Sequence, residues 1–278
     1  LAFEERIAPI ESRENSRSTG ADQVLLDWKW LDDRSAYLKM PTWALYATKW
    51  NWKSWLNSRL DELASKPGTA DLIVDLRGNE GGNDVGDEIL KRFVRIDLKP
   101  MQSRRLVRYR TTPAALNPYL DTWDPRFRDW RVDAVELAKA WRTAPPVSYY
   151  SLDRSDSDSL IRPSAKPIRG RLYVLIDASN SSATFQFAQT VQQERLGTLV
   201  GQPTGGNRRG INGGAFFFLR LPKSQIEMDL PLIGRFPSEP QPDSGLIPDL
   251  AVRPTLRDIA DGRDAEMAAL EGLRRKTK

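Results

Sequence analysis

The chain has 278 residues, 40% of them hydrophobic and 28% charged, a balance that excludes a disordered or fibrous protein and allows one large domain with its own core. It contains neither Cys nor His, which removes thiol nucleophiles, disulfides, Cys- or His-ligated metal sites and any Ser-His-Asp triad built from these residues alone. Lys and Arg number 42 against 37 Asp and Glu, a formal charge of +5. The densest basic runs are short (Arg104-Arg105, Arg208-Arg209, Arg274-Arg275-Lys276), so the charge is spread over a surface and nucleic acid is not an expected partner. No stretch approaches the roughly 18 uninterrupted apolar residues of a membrane helix, and no span is expected.

Residues 1–23 are polar with little periodicity and read as a lead-in or the remnant of an upstream module. The first residue is Leu, so the chain is taken as a processed product or an excised piece. VLLDWKW and AYLKM follow as short strands, and Trp52, Trp55, Leu56, Leu60 and Leu63 predict a helix over 51–65. DLIVDL (71–76) reads as a central strand buried on both faces, ending in the turn-rich RGNEGGND before a helix near 85–93.

The stretch 101–165 holds six prolines, a helix candidate over 132–141 and the Ser/Asp-rich DRSDSDS (153–159), and is expected to form an inserted irregular cap or lid. Regular texture resumes with the strand RLYVLID (171–177), the loop ASNSS and a helix over 183–195. TLVG, AFFFLRL and QIEMDLPL read as strands, EPQPDSGLIPD as a loop, LAVRP as a strand and 264–274 as a helix. Alternating strands and helices predict an α/β domain with a mainly parallel core sheet over residues 24–278.

Two segments have the local form of a reactive site. DLRGNEGG (75–82) carries a buried strand into a glycine turn, where main-chain N–H groups can face an anion; a plain tight turn explains the same residues. In the second, Ser182 stands where a strand hands over to a helix, and unpaired N–H groups there stabilise negative charge on a substrate oxygen. Ser179, Asn180, Ser181 and Ser182 are also good helix caps, and capping alone accounts for them. The Trp cluster at 28–55 and Phe216–Phe218 are read as core, with a peptide or carbohydrate groove as the alternative for the former.

DLIVDLRGNEGG, then YVLIDASNSSATFQFAQTVQQERLGTLVGQPTGG, then GLIPDLAVRPTLRDIADGRDAEMAAL resemble, in this order, the serine peptidases that include the C-terminal-processing (tail-specific) proteases and the tricorn core protease. The resemblance covers roughly 24–275. It implies a crotonase-like or ClpP-like catalytic core that cleaves peptides or proteins through an acyl-enzyme, and a periplasmic or secreted bacterial location. No cofactor is expected, and the residues themselves suggest no metal site, since carboxylates are the only strong ligands and no calcium-loop spacing occurs. Carried over residue by residue, Ser182 matches the nucleophile, and the N–H of Ala183 with that of Gly81, or next Gly82, matches the oxyanion hole.

The chain also departs from the family. The processing proteases place a Lys base 25 residues beyond the nucleophile, and that position here is Asn207. Arg208 and Arg209 beside it stay protonated and cannot take the serine proton; they read as exposed loop charges or, with Arg208 foremost, as binders of a substrate carboxylate. The tricorn-like branch uses an upstream His with an acidic residue ahead of the GxxPD block, here Gly245-Leu246-Ile247-Pro248-Asp249. Glu239 is the preferred match and Asp243 the other, and the His is expected before Leu1. The competing expectation is an inactive pseudo-peptidase that binds peptides or scaffolds an assembly; a crotonase-type acyl-CoA enzyme explains less.

Overall fold

The computed structural model describes residues 26–46, 48–100, 103–137, 149–152 and 160–276. β1 (Asp27–Asp32) turns back on β2 (Ser35–Lys39) as an antiparallel hairpin. β2 then pairs in parallel with β3 (Asp71–Asp75), which pairs in parallel with β8 (Leu172–Ile176). β9 (Gly197–Gly201) and β12 (Leu250–Ala251) continue the parallel ladder, giving the order β1-β2-β3-β8-β9-β12.

Both central strands are buried on both faces, as their continuous apolar runs require. Leu72, Val74, Val174 and Ile176 join one cluster with Leu56, Leu60 and Leu63 of α1 (Trp52–Ala64), Ile89 of α2 (Gly86–Phe93) and Phe187 and Val191 of α3 (Ser182–Gln193). Ile73, Tyr173 and Leu175, which alternate with them, meet Leu270 of α5 (Ala265–Lys276) on the other side. The mixed α/β class and the mainly parallel sheet agree with the sequence. So does α1, which runs between Asn51 as N-cap, accepting from the Ser54 N–H at 3.0 Å, and Ser65 as C-cap.

A second, antiparallel sheet was not foreseen. It is built on the hairpin of β10 (Ile211–Arg220) and β11 (Glu227–Pro237), joined by β4 (Ser103–Val107), β5 (Leu120–Asp121), β6 (Val135–Glu136) and β7 (Tyr150–Ser151) in the order β5-β10-β11-β4-β7-β6. Val107, Trp130, Ala134, Leu152, Ala215 and Ile233 form its own small core. The stretch 101–165 is thus more regular than its prolines suggest, because four short strands take their order from a hairpin about 100 residues away in sequence.

The helix expected over 132–141 is not formed in the described part. Residues 131–133 make a turn and Val135–Glu136 pair with β7, while Val132 and Val135 are exposed and find no core to face. DRSDSDS lies outside the described residues. α4 (Leu256–Ala260), missed in the sequence, is opened by a reciprocal capping box between Thr255 and Asp258. The Trp cluster packs as expected: Trp43 is fully buried edge-on to Phe187, and Trp28, Trp30, Trp50, Trp52 and Trp55 pack partly buried on the main core.

Candidate active site

Because β3 and β8 are adjacent and parallel, the loops that follow them leave the sheet side by side at its C-terminal edge, where open α/β sheets place their ligands. Asn180, fully buried, donates from Nδ2 to the Leu76 carbonyl at 2.6 Å and the Asn79 carbonyl at 3.0 Å. The Thr184 hydroxyl donates to the Asn79 carbonyl at 3.0 Å, and the Ser181 hydroxyl to the Glu80 carbonyl at 2.8 Å. The Gly78 N–H donates to Asp177 Oδ2 at 3.0 Å. Side chains of the second loop therefore satisfy the main chain of the first, and the two are held as one unit.

Ser182 is the first residue of α3 and has φ +47°, a left-handed conformation costly for a residue with a Cβ. It is half-buried, and its Oγ makes no hydrogen bond among the described residues. Ser181 occupies the N-cap but does not cap with its side chain, and the main-chain N–H of Ala183 in the first turn makes no hydrogen bond among the described residues. Gly81 has φ +107° and lies directly against Ser182. Its N–H is taken by Asn79 Oδ1 at 2.9 Å, whereas that of Gly82 makes no hydrogen bond among the described residues. Gly82 passes the Trp43 main chain so closely that a Cβ there would lie 2.2 Å from the Trp43 carbonyl. On the far side, a Cβ built on Gly213 of β10 would lie 4.0 Å from Ser182 Oγ, so the second sheet walls the space above the hydroxyl.

An ion-pair knot anchors the first loop. Arg77 donates to buried Asp75 at 2.7 and 2.9 Å, to Asp264 at 2.8 Å and to buried Glu266 at 3.2 Å, tying β3 to the start of α5. Tyr37 donates to Asp75 at 2.6 Å, and burial together with that carboxylate raises its pKa well above the ordinary phenol value. Hydrogen bonds from Arg77 hold Asp264 below the usual carboxylate range. The knot's role was not read from the sequence, although Arg77 lies within the DLRGNEGG motif.

The remaining expected residues are more scattered. Glu239 is exposed in the loop after β11 and makes no hydrogen bond or ion pair among the described residues, so nothing links it to Ser182. Asn207, at the Lys position, donates to Asp243 Oδ1 at 2.8 Å and accepts from the Arg209 N–H at 2.8 Å. Arg209 pairs with Asp243 at the surface. Arg208 is half-buried, with Nη2 on Gln241 Oε1 at 3.1 Å and Nε buried without a partner. In the GLIPD block, Asp249 accepts from the Leu199 N–H at 2.8 Å and from Gln192 at 3.1 Å, clasping β9 to the end of α3. Its place is structural. Among the described residues no group of three or more Asp or Glu side chains could hold a metal ion.

Comparison with solved structures gives the same fold at low identity. A protein of Parabacteroides merdae ATCC 43184 described as a peptidase is 19% identical with a TM-score of 0.50, covering 94% of this chain and 68% of its own. Mature CPAF, solved in complex with lactacystin, is 14% identical with a TM-score of 0.54, covering 87% of this chain; this chain spans 51% of its length. No curated protein matches the chain significantly. The model of peptidase family S41 matches residues 34–213, a span that contains β3, β8, both loops and Ser182, and the chain therefore belongs to peptidase family S41.

Proposed function

We propose that this chain is a serine peptidase domain that hydrolyses peptide bonds through an acyl-enzyme on Ser182. The observation that carries the reading is the strained Ser182 at the head of α3, set against Gly81, with the N–H groups of Gly82 and Ala183 unengaged beside it. Oγ attacks the substrate carbonyl carbon and its proton passes to a base. The oxyanion rests on the N–H groups of Ala183 and Gly82, which takes the part first given to Gly81 because the Gly81 N–H is already on Asn79. Collapse of the tetrahedral intermediate expels the amine with that proton, and water releases the acyl group.

The base is assigned to a segment outside the described residues, with Glu239 as the group that orients it. In support, Ser182 Oγ has no hydrogen-bonded Lys, Asp or Glu among the described residues, and Asn207 is held by Asp243 and the Arg209 N–H. Arg208 is assigned to substrate. We read the core as crotonase-like and the stretch 101–165 as a cap, since Ser103 lines the cavity beside α3. A periplasmic or secreted location belongs to the same reading; among the described residues no helix is long and apolar enough to cross a membrane.

The test is labelling by a fluorophosphonate probe, comparing this chain with a form extended upstream. The extended form is expected to label at Ser182 and its Ser182→Ala variant not to; labelling that survives the substitution overturns the assignment. The unpartnered Ser182 Oγ also favours a second reading, a pseudo-peptidase that binds peptides without cleaving them. No labelling and no turnover in the extended form, with peptide binding retained, selects it.

A further inference from the structure

A small cavity lies on the face of α3 that carries the serine. Ser182, Gln186 and Gln189 are spaced i, i+4 and i+7 and so project from one side of the helix, with side chains leaning back toward its N-terminus. Gln186 and Gln189 open into a cavity of about 30 Å³, room for roughly two water-sized groups, which Phe185, Asn207, Arg208, Gly210, Ile211 and Arg235 also line. Among the described residues no Asp or Glu lines it. Gln189 is only 6% exposed, and its Nε2 is buried with no hydrogen-bond partner. Arg208, which also lines the cavity, has a second buried donor without a partner among the described residues, Nε, while its Nη2 is fixed on Gln241. Two orphan buried donors on residues that line a small cavity with cationic side chains and no acid are costly unless an acceptor reaches them.

We propose that this cavity is a carboxylate-binding subsite for the substrate of Ser182. A carboxylate offers two acceptor oxygens in about the volume available and would satisfy both Gln189 Nε2 and Arg208 Nε. Along α3 the cavity begins one turn from Ser182 and ends two turns away, about 6 to 10 Å at 1.5 Å per residue. An extended peptide covers that distance in about two to three residues. β10 gives the same span independently, since Gly210 and Ile211 line the cavity and Gly213 stands over Ser182 Oγ. The carboxylate that fits is therefore an acidic side chain, or the chain end, two to three residues from the bond presented to Ser182. This rests on the reading of Ser182 as the nucleophile, but its test does not need turnover.

The experiment measures binding of three fluorescent peptides, identical but for one group, to the Ser182→Ala form of the chain. One has a free C-terminus and an internal Glu, the second an amidated C-terminus, the third Gln in place of Glu. One of the two neutralisations is expected to weaken binding at least tenfold and thereby to name the source of the carboxylate. That difference is expected to fall below twofold in Gln189→Leu and in Arg208→Gln. Gln189→Glu, close to isosteric, is expected to abolish the preference and serves if Gln189→Leu lowers Tm. Equal affinity for all three peptides, or a preference that survives Gln189→Glu, overturns the proposal and leaves the cavity to water. Fluorophosphonate labelling is scored separately, so the subsite can stand in a protein that does not label.

Discussion

A Cβ placed on Gly81 would lie 2.8 Å from the Cβ of Ser182 and 3.0 Å from the main-chain nitrogen of Ala183. The two loops touch where the reaction would occur, and only a residue without a side chain fits. Gly81→Ala meets this contact and also a φ of +107°. Labelling of Ser182 is expected to slow at least 100-fold, with far-UV circular dichroism little changed because the substitution lies in a loop. Unaltered labelling kinetics would mean that the loop yields without moving Ser182.

Arg77 is expected to govern stability more than its half-exposed position suggests. Arg77→Met leaves Asp75 and Glu266, 2% and 5% exposed, without their cation. Breaking a buried ion pair from one side costs about 3–5 kcal/mol, a fall in Tm of about 10 °C in a chain of this size. Thermal unfolding checks it; a fall below about 2 °C would show that the knot is not fastening α5 to β3.

Trp43 separates two contributions. It packs fully buried against Phe187 of α3 and beside Gly86 of α2, and its indole N–H has no partner among the described residues. Trp43→Ala is expected to cost about 3–5 kcal/mol through the cavity left behind. Trp43→Phe keeps a ring and removes an unsatisfied donor, so its cost should stay below about 2 kcal/mol. Equal losses in urea unfolding would contradict this division.

Asp87, in the first turn of α2, gives a pH signature. Burial, and then the nearby Asp84 carboxylate, push its pKa up to about 6 from an ordinary 3.8. The folded state therefore holds the proton more tightly than the unfolded one, and stability falls as pH rises from about 4 to about 6 and then levels. Asp87→Asn removes that penalty, less a few tenths of a kcal/mol for a charge that suits the helix N-terminus. Its Tm is expected to exceed the parent's by about 2–4 °C at pH 8 and to match it near pH 4. A gain that is the same at both pH values would point to packing instead.

Where neighbours in sequence are neighbours in space, the sequence is a good guide. Leu56, Leu60 and Leu63 define α1 to within its caps, and the apolar runs around Val74 and Val174 mark the buried parallel strands. The antiparallel sheet was hidden because β4 to β7 are two to five residues long and obtain their partners from β10 and β11 or from one another. In the site, the residue types at Ser182, Gly81 and Gly82 suggested the chemistry. The knot around Arg77 and the burial of the Gln189 amide depend on contacts across long separations, which no periodicity encodes, and the diversion of the Gly81 N–H to Asn79, two residues away, is a matter of local turn geometry that residue types do not announce.

The charge-stabilising part of the proposed machinery is main chain: the N–H groups of Gly82 and Ala183. Drift at other positions cannot erase a backbone N–H, whereas a base carried on a side chain is lost in one substitution. A lineage with this architecture can therefore fall silent as a catalyst while keeping the cradle intact. Restoring activity would require one proton acceptor within reach of Ser182, without rebuilding the fold. Copies of this domain that differ in activity should accordingly differ in the acceptor and agree at the two glycines.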